Sequence, residues 1–84
     1  MTNDSIEKFI DSKALKSTKV NIHFKQRATV KGVFIRTNDF NELKSKNFWR
    51  IVSDSKVEEW ERTKDTNLAR IYNGAEFTRL SENN

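Results

Sequence analysis

The middle of this 84-residue chain combines basic and aromatic side chains in a pattern typical of nucleic-acid binding. Residues 13–50 contain ten Lys or Arg residues against two acids, a net charge of +8, whereas the whole chain carries +4. Phe24, Phe40 and Trp49 are interleaved with these cations. Cations neutralise phosphates and aromatic rings stack on bases, so such a surface binds single strands with little sequence preference. The cations expected to contact nucleic acid are Lys25, Arg27, Lys31, Arg36, Lys44, Lys46 and Arg50.

The charge pattern by itself also fits the solvated surface of a lysine-rich protein, and charge alone favours that plainer interpretation. The flanking segments are acidic: residues 54–65 hold five acids and three bases, and residues 1–12 have a net charge of −2. A basic centre between acidic flanks forms an anion-binding face if the fold gathers the cations on one side. Both interpretations therefore stay open at this point.

The remaining reactive side chains do not form a recognisable catalytic or metal site. His23 is the only histidine and there is no cysteine, which excludes disulfides, thiolate chemistry and cysteine-based zinc sites. The acids of residues 58–65 are interspersed with bases, which is more typical of a solvated, self-paired loop than of a carboxylate metal site. The sequence has no phosphate-binding glycine loop and no serine nucleophile motif. We expect no catalytic residue, no metal, no cofactor and no enzyme activity.

The N-terminal residues are polar and acidic, without the apolar core of a signal peptide. No apolar run approaches the length that crosses a bilayer. We therefore expect a cytoplasmic protein without a membrane partner. Its length is that of one domain, spanning residues 1–84.

The first element expected in this domain is a short helix with one apolar face. Residues 4–15 place Ile6, Phe9 and Ile10 on one side at helical spacing. Asp4 and Glu7 have the spacing of a capping box at the start of a helix. A helix this short persists only when its apolar face packs on something else.

The rest of the chain predicts strands. In residues 19–25, Val20, Ile22 and Phe24 alternate with polar residues, which is typical of a half-buried strand. The charged residues 54–66 predict either a helix of one or two turns or a long hairpin loop. Together the elements predict a mainly β fold, in which an N-terminal helix precedes five strongly bent antiparallel strands in a small, partly open barrel. The other four strands are expected at residues 28–37, 48–53, 67–72 and 75–80.

Two glycines, the only ones in the chain, punctuate these strands. Gly32 interrupts the second strand, after which Val33 and Phe34 point to opposite faces, so a bend is expected there. Asn73-Gly74 separates the last two strands and predicts a hairpin turn, because residues of these types tolerate the positive φ that such turns need. Both glycines therefore indicate a bent antiparallel structure.

These features resemble the Sm-like family, which includes the bacterial host-factor RNA chaperone. That family has an N-terminal helix, five strongly bent strands in an SH3-like small barrel, and two sequence signatures separated by a variable loop. The resemblance covers residues 5–81 and implies a helix at 4–15, a barrel at 19–80 and a variable loop at 54–66. The first signature corresponds to Val20-x-Ile22 through Gly32-x-Phe34, Asn38-x-Phe40 and Leu43, and the second to residues 72–80, which include Asn73 and Gly74.

The resemblance implies that Phe40 stacks on a base, but neighbouring positions depart from the family. Asn38 replaces an acidic residue, and Glu42 stands where many members have a base-contacting asparagine. Asn73 replaces the arginine before the second glycine, and Ala75 replaces the Asn or Asp after it. A carboxylate beside Phe40 repels phosphate and hydrogen-bonds only the donor edge of a base. The scaffold is therefore supported more firmly than the RNA-binding pocket.

In the family, strand four of one subunit pairs with strand five of the next and closes a ring. The resemblance therefore implies that this chain partners with copies of itself in a homo-oligomeric ring, and with single-stranded RNA. Assembly into a ring would also pair the strand edges that a partly open barrel leaves unpaired. The implied interface residues are Leu68, Ile71, Tyr72, Phe77 and Leu80.

Two other functions stay open. The same barrel could be a protein–protein interaction or structural module without a nucleic-acid role, which Glu42 and Asn73 favour. Trp60, alone in a polar segment, is the candidate anchor for a protein partner. A small SH3-like monomer that does not assemble into a ring is the third possibility.

Overall fold

A computed structural model describes residues 1–13 and 19–82 as a curved five-stranded antiparallel sheet accompanied by helices. Single turns of 3₁₀ helix, at Asp54–Lys56, Thr66–Leu68 and Gly74–Glu76, join several of these elements. In chain order the helices and strands are α1 Asn3–Lys13, β1 Val20–Phe24, β2 Val30–Phe34, α2 Phe40–Ser45, β3 Phe48–Ser53, α3 Val57–Thr63, β4 Ala69–Asn73 and β5 Phe77–Glu82.

The strands lie in the order β4-β3-β2-β1-β5, and every neighbouring pair is antiparallel. The first four strands form a meander, and β5 returns to pair with β1. Only the three residues Gly74–Glu76 separate β4 from β5, although these strands lie at opposite ends of the order. The sheet must therefore curl strongly. β4 and β5 are not paired with each other, so the sheet is not closed into a barrel.

The expected hairpin at Asn73-Gly74 is wrong. β4 pairs with β3 and β5 pairs with β1, and the connection is a turn of 3₁₀ helix that the Asn73 side chain caps by accepting from the Ala75 amide at 2.9 Å. Gly74 does not adopt a positive φ. It is needed for close packing instead, since a Cβ here would lie 2.6 Å from Ile6 Cδ1. The glycine therefore lets this turn pack closely against Asn47 and Trp49 as well as against Ile6 of α1.

Gly32 also lies at a close approach. A Cβ at this position would stand 2.5 Å from the carbonyl oxygen of Val52 on β3. The change of faces expected beyond it is confirmed, because Val33 packs into one apolar cluster while Phe34 packs against another. Glycine here lets β2 and β3 approach where side chains begin to fill both faces of the sheet.

The core consists of two clusters on opposite faces of the sheet. The concave face holds the main core, where Trp49 and Phe77 are the largest fully buried side chains and where Val20 and Ile22 share one side as predicted. The main core comprises Ile6, Ile10, Val20, Ile22, Trp49, Ile51, Phe77 and Leu80. The smaller cluster on the other face comprises Val33, Ile35, Val52 and Val57, with Trp60 and Ala69 packed against it.

Helix α1 covers the main core as its apolar spacing predicts, with Ile6 and Ile10 buried. Its N-terminus differs from the prediction: the Thr2 hydroxyl accepts from the Ser5 amide at 3.2 Å, whereas Glu7 is drawn away into an ion pair with Lys44. The helix begins at residue 3, one residue earlier than predicted. The last two residues of the predicted helix, 14 and 15, lie outside the described residues.

Two segments without a firm prediction are helical. The charged stretch between β3 and β4 contains α3, which confirms the helical alternative; it ends at Lys64 in the left-handed region with φ 56°. Helix α2 was not predicted at all. Strands β4 and β5 each begin two residues later than expected, whereas β3 has the predicted bounds. Among the described residues no helix is both long and apolar enough to cross a membrane.

Candidate nucleic-acid interface

Phe40 lies at the start of α2 among cations, as the sequence suggested. Its ring meets the buried ring of Trp49 edge-on, with centroids 5.9 Å apart. The Arg36 guanidinium carbon lies 4.8 Å from the Phe40 centroid and Lys44 Nζ lies 5.8 Å from it. We call Phe40, Arg36 and Lys44 the Phe40 cluster. Its geometry favours cation–π contacts within the chain.

Both cations of the Phe40 cluster are paired with acids of α1. Arg36 reaches Asp11 at 2.7 Å, and Lys44 reaches Glu7 at 2.6 Å. The Asn3 side chain also donates to the Lys44 carbonyl at 3.1 Å, a further contact between α1 and α2. The cluster therefore presents two cations together with two carboxylates, and its local charge is zero.

Arg50, another predicted phosphate contact, is also paired. Its guanidinium donates to both carboxylate oxygens of Asp39, at 2.7 and 3.3 Å, and the Thr37 hydroxyl donates to the same carboxylate. These hydrogen bonds, with the charge of Arg50, lower the pKa of Asp39 to about 2. The same contact raises the pKa of Arg50. Arg50 thus braces the loop before α2 against β3, a structural role for a residue predicted to bind RNA.

A second aromatic group lies where β1 and β4 approach across the curl of the sheet. Phe24 and Tyr72 have ring centroids 5.8 Å apart, and Phe24 meets the buried Phe77 edge-on at 5.2 Å. The guanidinium carbon of Arg27 lies 5.1 Å from the Phe24 centroid and 5.6 Å from that of Tyr72. We call Phe24, Arg27 and Tyr72 the Tyr72 cluster. Both of its rings are half-buried, so part of each faces solvent.

In the part of the chain that the structure describes, the cations of and around the Tyr72 cluster have no carboxylate partner. Arg27 and Lys25 in the β1–β2 loop, and Arg70 on β4, are exposed and form no ion pair within residues 1–13 and 19–82. Arg70 and Tyr72 point to the same face of β4, since alternate residues of a strand share a face. This region therefore combines exposed aromatic surface with uncompensated positive charge, which the Phe40 cluster does not.

The remaining predicted contacts belong to neither cluster. Lys31 is exposed on β2, and Lys46 is exposed just after α2. A cation outside the predicted set, Lys19, pairs with Asp54 at 2.7 Å, and this hydrogen bond lowers the pKa of Asp54. The cations predicted to bind RNA are thus divided between Arg36, Lys44 and Arg50, which are paired with carboxylates, and others that form no ion pair within the described residues.

The predicted interface residues are similarly divided. Phe77 and Leu80 are buried in this chain's own core, so their side chains are not available to a second copy. Leu68 and Tyr72 are half-buried on β4 or just before it, whereas Ile71 is 49% exposed. It is the exposed large hydrophobic residue of the described chain, and it lies on an edge strand.

Trp60, the predicted anchor for a protein partner, is half-buried on α3. It packs against the smaller apolar cluster, and Lys64 Nζ lies 5.3 Å from its ring centroid. The tryptophan thus fixes α3 to the convex face of the sheet. Because these contacts within the chain bury part of the Trp60 side chain, only the remainder is exposed to a protein partner.

The sequence reasoning missed Arg70 and the grouping of Phe24, Arg27 and Tyr72 as one site. The alternation Leu68-x-Arg70-x-Tyr72 does place Arg70 and Tyr72 on one face of a strand. No signal in the sequence shows that β1 and β4 meet, because that contact depends on the curl of the sheet. No protein-family model, curated protein or solved structure matches this chain, so the interface is defined by its geometry alone.

Proposed function

We propose that this chain is an Sm-like protein that binds single-stranded RNA weakly through the Tyr72 cluster, and that copies of it join in a ring through the edges of β4 and β5. One observation carries the RNA proposal. Arg27 lies over two partly exposed rings and has no carboxylate partner in the described chain. A nucleobase stacked on such a surface contacts aromatic and guanidinium planes, while its phosphate meets positive charge.

The chemistry of the cluster sets the kind of binding. Stacking is open to every base because each has a π face, and it contributes about 1–3 kcal/mol per base. The surrounding cations contact phosphates and carry no sequence information. The expected RNA interaction is therefore tolerant of sequence and strongly weakened by salt.

Paired variants test the RNA proposal. Fluorescence anisotropy with oligo-U and oligo-A at two salt concentrations measures the affinity of wild type, Arg27→Gln and Arg36→Gln. Both arginines lie over aromatic rings, but Arg36 is paired with Asp11. Arg27→Gln should weaken binding severalfold, whereas Arg36→Gln should change it little. Absence of binding by wild type at low salt, or equal losses in the two variants, would contradict the proposal.

The assembly proposal rests on the two sheet edges. β4 and β5 each have one edge without a partner strand in the described chain, and unpaired edges tend to pair with another chain. Ile71 adds exposed apolar surface on the first of these edges. Light scattering coupled to size-exclusion chromatography at several concentrations tests the ring. Ile71→Lys should shift any oligomer toward monomer, and a wild type that is monomeric at every concentration would exclude the ring.

The exposed edge also favours a second candidate, in which the chain is a protein interaction module. A peptide strand of another protein could add to β4, with Ile71 beneath one of its side chains. The Phe40 cluster fits this candidate too, because its charge is already balanced. RNA binding that survives Arg27→Gln but a partner interaction lost in Ile71→Lys would favour this module over the RNA protein.

A further inference from the structure

The concave face of the sheet is not completely filled. A pocket of about 300 Å³ lies between β2, β3 and β4, beside the turn that precedes α3. Val30, Ile51 and Leu68 line its apolar part, and Tyr72 borders it. Its volume lies at the lower end of the range found for small-molecule sites in proteins, which begins at about 300 Å³.

Strand register explains the polar side of this pocket. Arg70 on β4 is the direct partner of the buried Ile51 on β3, so the two side chains share the concave face. Lys56, in the 3₁₀ turn after β3, lines the same pocket. Two exposed cations thus line the same cavity as the apolar side chains and Ser53.

These two cations are uncompensated. Neither Lys56 nor Arg70 makes an ion pair or a side-chain hydrogen bond within the part of the chain that the structure describes. A neighbouring cavity shows the opposite arrangement, because Lys19 there is paired with Asp54 and two glutamates share its lining. Positive charge beside an apolar cavity favours a ligand that has an anionic end and an apolar body.

The geometry points to a binding site for a small organic monophosphate with a flat body, of which a nucleoside 5′-monophosphate is the test ligand. The phosphate lies between Lys56 and Arg70, where the guanidinium of Arg70 can donate to two oxygens. The base enters the apolar part of the pocket and contacts Ile51, Leu68 and the Tyr72 ring. Phosphate or nucleoside alone uses half of the site and binds more weakly than the complete ligand.

This ligand chemistry has two sources, a free mononucleotide and one nucleotide of an RNA strand. The pocket shares Tyr72 and the neighbouring Arg70 with the proposed RNA surface, whereas Arg27 belongs to that surface and does not line the pocket. Arg27→Gln therefore separates the two: it should weaken oligonucleotide binding and leave mononucleotide binding unchanged. If RNA binding fails altogether, the pocket proposal is unaffected, and it is tested by the mononucleotide alone.

Isothermal titration calorimetry at low salt, with AMP, UMP, adenosine and inorganic phosphate as separate titrants, tests the site. The decisive variant combines Lys56→Gln with Arg70→Gln. The matched control combines Lys8→Gln with Arg62→Gln, two exposed cations that do not line the pocket. A further variant, Leu68→Phe, fills the apolar part without changing charge. Circular dichroism and thermal unfolding confirm that each variant is folded.

We expect saturable binding of at least one mononucleotide, and weaker binding of adenosine and phosphate. The pocket double variant should lose about tenfold or more in affinity, since hydrogen bonds to charged groups are among the stronger polar contacts. The control should stay within about twofold. The proposal is overturned if no mononucleotide binds folded wild type, if the control loses as much as the pocket variant, or if only oligonucleotide binding responds to Lys56 and Arg70.

Discussion

The Phe40 cluster and the Tyr72 cluster are built from the same parts and differ in their counter-charges. Each places a guanidinium within about 6 Å of an aromatic centroid. In the first, α1 supplies a carboxylate to each cation; in the second, Arg27 forms no ion pair within the described residues. A run of basic residues therefore becomes a binding surface only where the tertiary structure leaves it uncompensated.

The strength of the α1 ion pairs decides how far the two clusters differ in their attraction for phosphate. Arg36 and Asp11 are each more than half exposed, so their pair contributes about 0–1 kcal/mol to folding and could be broken by a phosphate. The carboxylates would nevertheless stay within a Debye length, which is about 8 Å at physiological salt. A phosphate near Phe40 thus meets the acids as well as the cations. The Phe40 cluster should bind RNA poorly even though its ion pairs are weak.

The largest expected effect concerns how the two clusters are anchored. Trp49, which supports Phe40, is 1% exposed and donates its indole N–H to the Asn47 side chain at 2.8 Å. Trp49→Ala should lower the free energy of unfolding by about 3–5 kcal/mol, as for other large buried aromatics. Tyr72→Ala, at a half-buried position, should cost about 1–2 kcal/mol. Urea unfolding followed by circular dichroism measures both, and equal losses would contradict the difference in anchoring.

The next effect separates the clusters by function. Tyr72→Ala should weaken RNA binding by about 1–3 kcal/mol, the contribution of one stacked base. Phe40→Ala should weaken it by less than about 0.5 kcal/mol, because a phosphate beside Phe40 is opposed by Glu7 and Asp11. Fluorescence anisotropy at fixed low salt compares the two variants. A larger loss for Phe40→Ala would reverse the assignment and restore the site implied by the Sm-like resemblance.

A smaller effect is expected when the carboxylates paired with the Phe40 cluster are removed, so that its cations are unpaired like Arg27 of the Tyr72 cluster. Combining Glu7→Gln with Asp11→Asn removes both carboxylates and leaves Arg36 and Lys44 free. RNA affinity should then rise severalfold, and the salt dependence should steepen by about 0.7 for each phosphate newly contacted. Glu58→Gln with Glu59→Gln on α3 changes the net charge equally and serves as control. An equal gain in the control would show that net charge, and not the cluster, controls binding.

Much of the fold was open to sequence reasoning because it depends on local alternation. Val20, Ile22 and Phe24 share one face as predicted, and β3 has its predicted bounds. Helix α2 was missed because its apolar residues, Phe40 and Leu43, are too few to establish a helical periodicity in the sequence. The Asn73-Gly74 hairpin was wrong because the strand pairings are long-range.

The candidate sites depended still more on tertiary contacts. Charge counting identified Arg36 and Lys44 but could not show that α1 would neutralise them. Asn47 gave no sequence signal either. It adopts φ 63°, which asparagine tolerates better than most residues, and its carbonyl accepts from the Gly74 amide at 2.8 Å. Contacts between segments that are distant in the sequence depend on the curl of the sheet, so they could not be predicted from the sequence.

The smallest expected effect concerns the ion pair between Asp39 and Arg50, which holds the loop of the Phe40 cluster and has no counterpart in the Tyr72 cluster. The pKa of Asp39 is about 2 in the folded chain, against an ordinary value of 3.8. A folded-state pKa below the unfolded one means that the ionised carboxylate stabilises the fold above about pH 4. That stabilisation is lost as the pH falls from about 4 to about 2. Asp39→Asn should therefore unfold more readily than wild type at pH 6, and the gap should narrow toward pH 2.

Urea midpoints measured between pH 6 and pH 2 test whether the stability difference between wild type and Asp39→Asn narrows as the pH falls. Asp4→Asn, the same substitution at an exposed carboxylate without an ion pair in the described chain, is the matched control and should stay close to wild type throughout. A gap between Asp39→Asn and wild type that stays constant down to pH 2 would mean that the charge of Asp39 does not stabilise the fold. The loop before α2 would then be held by packing of Phe40 on Trp49. The carboxylates of α1 would then be the one difference in charge between the two clusters.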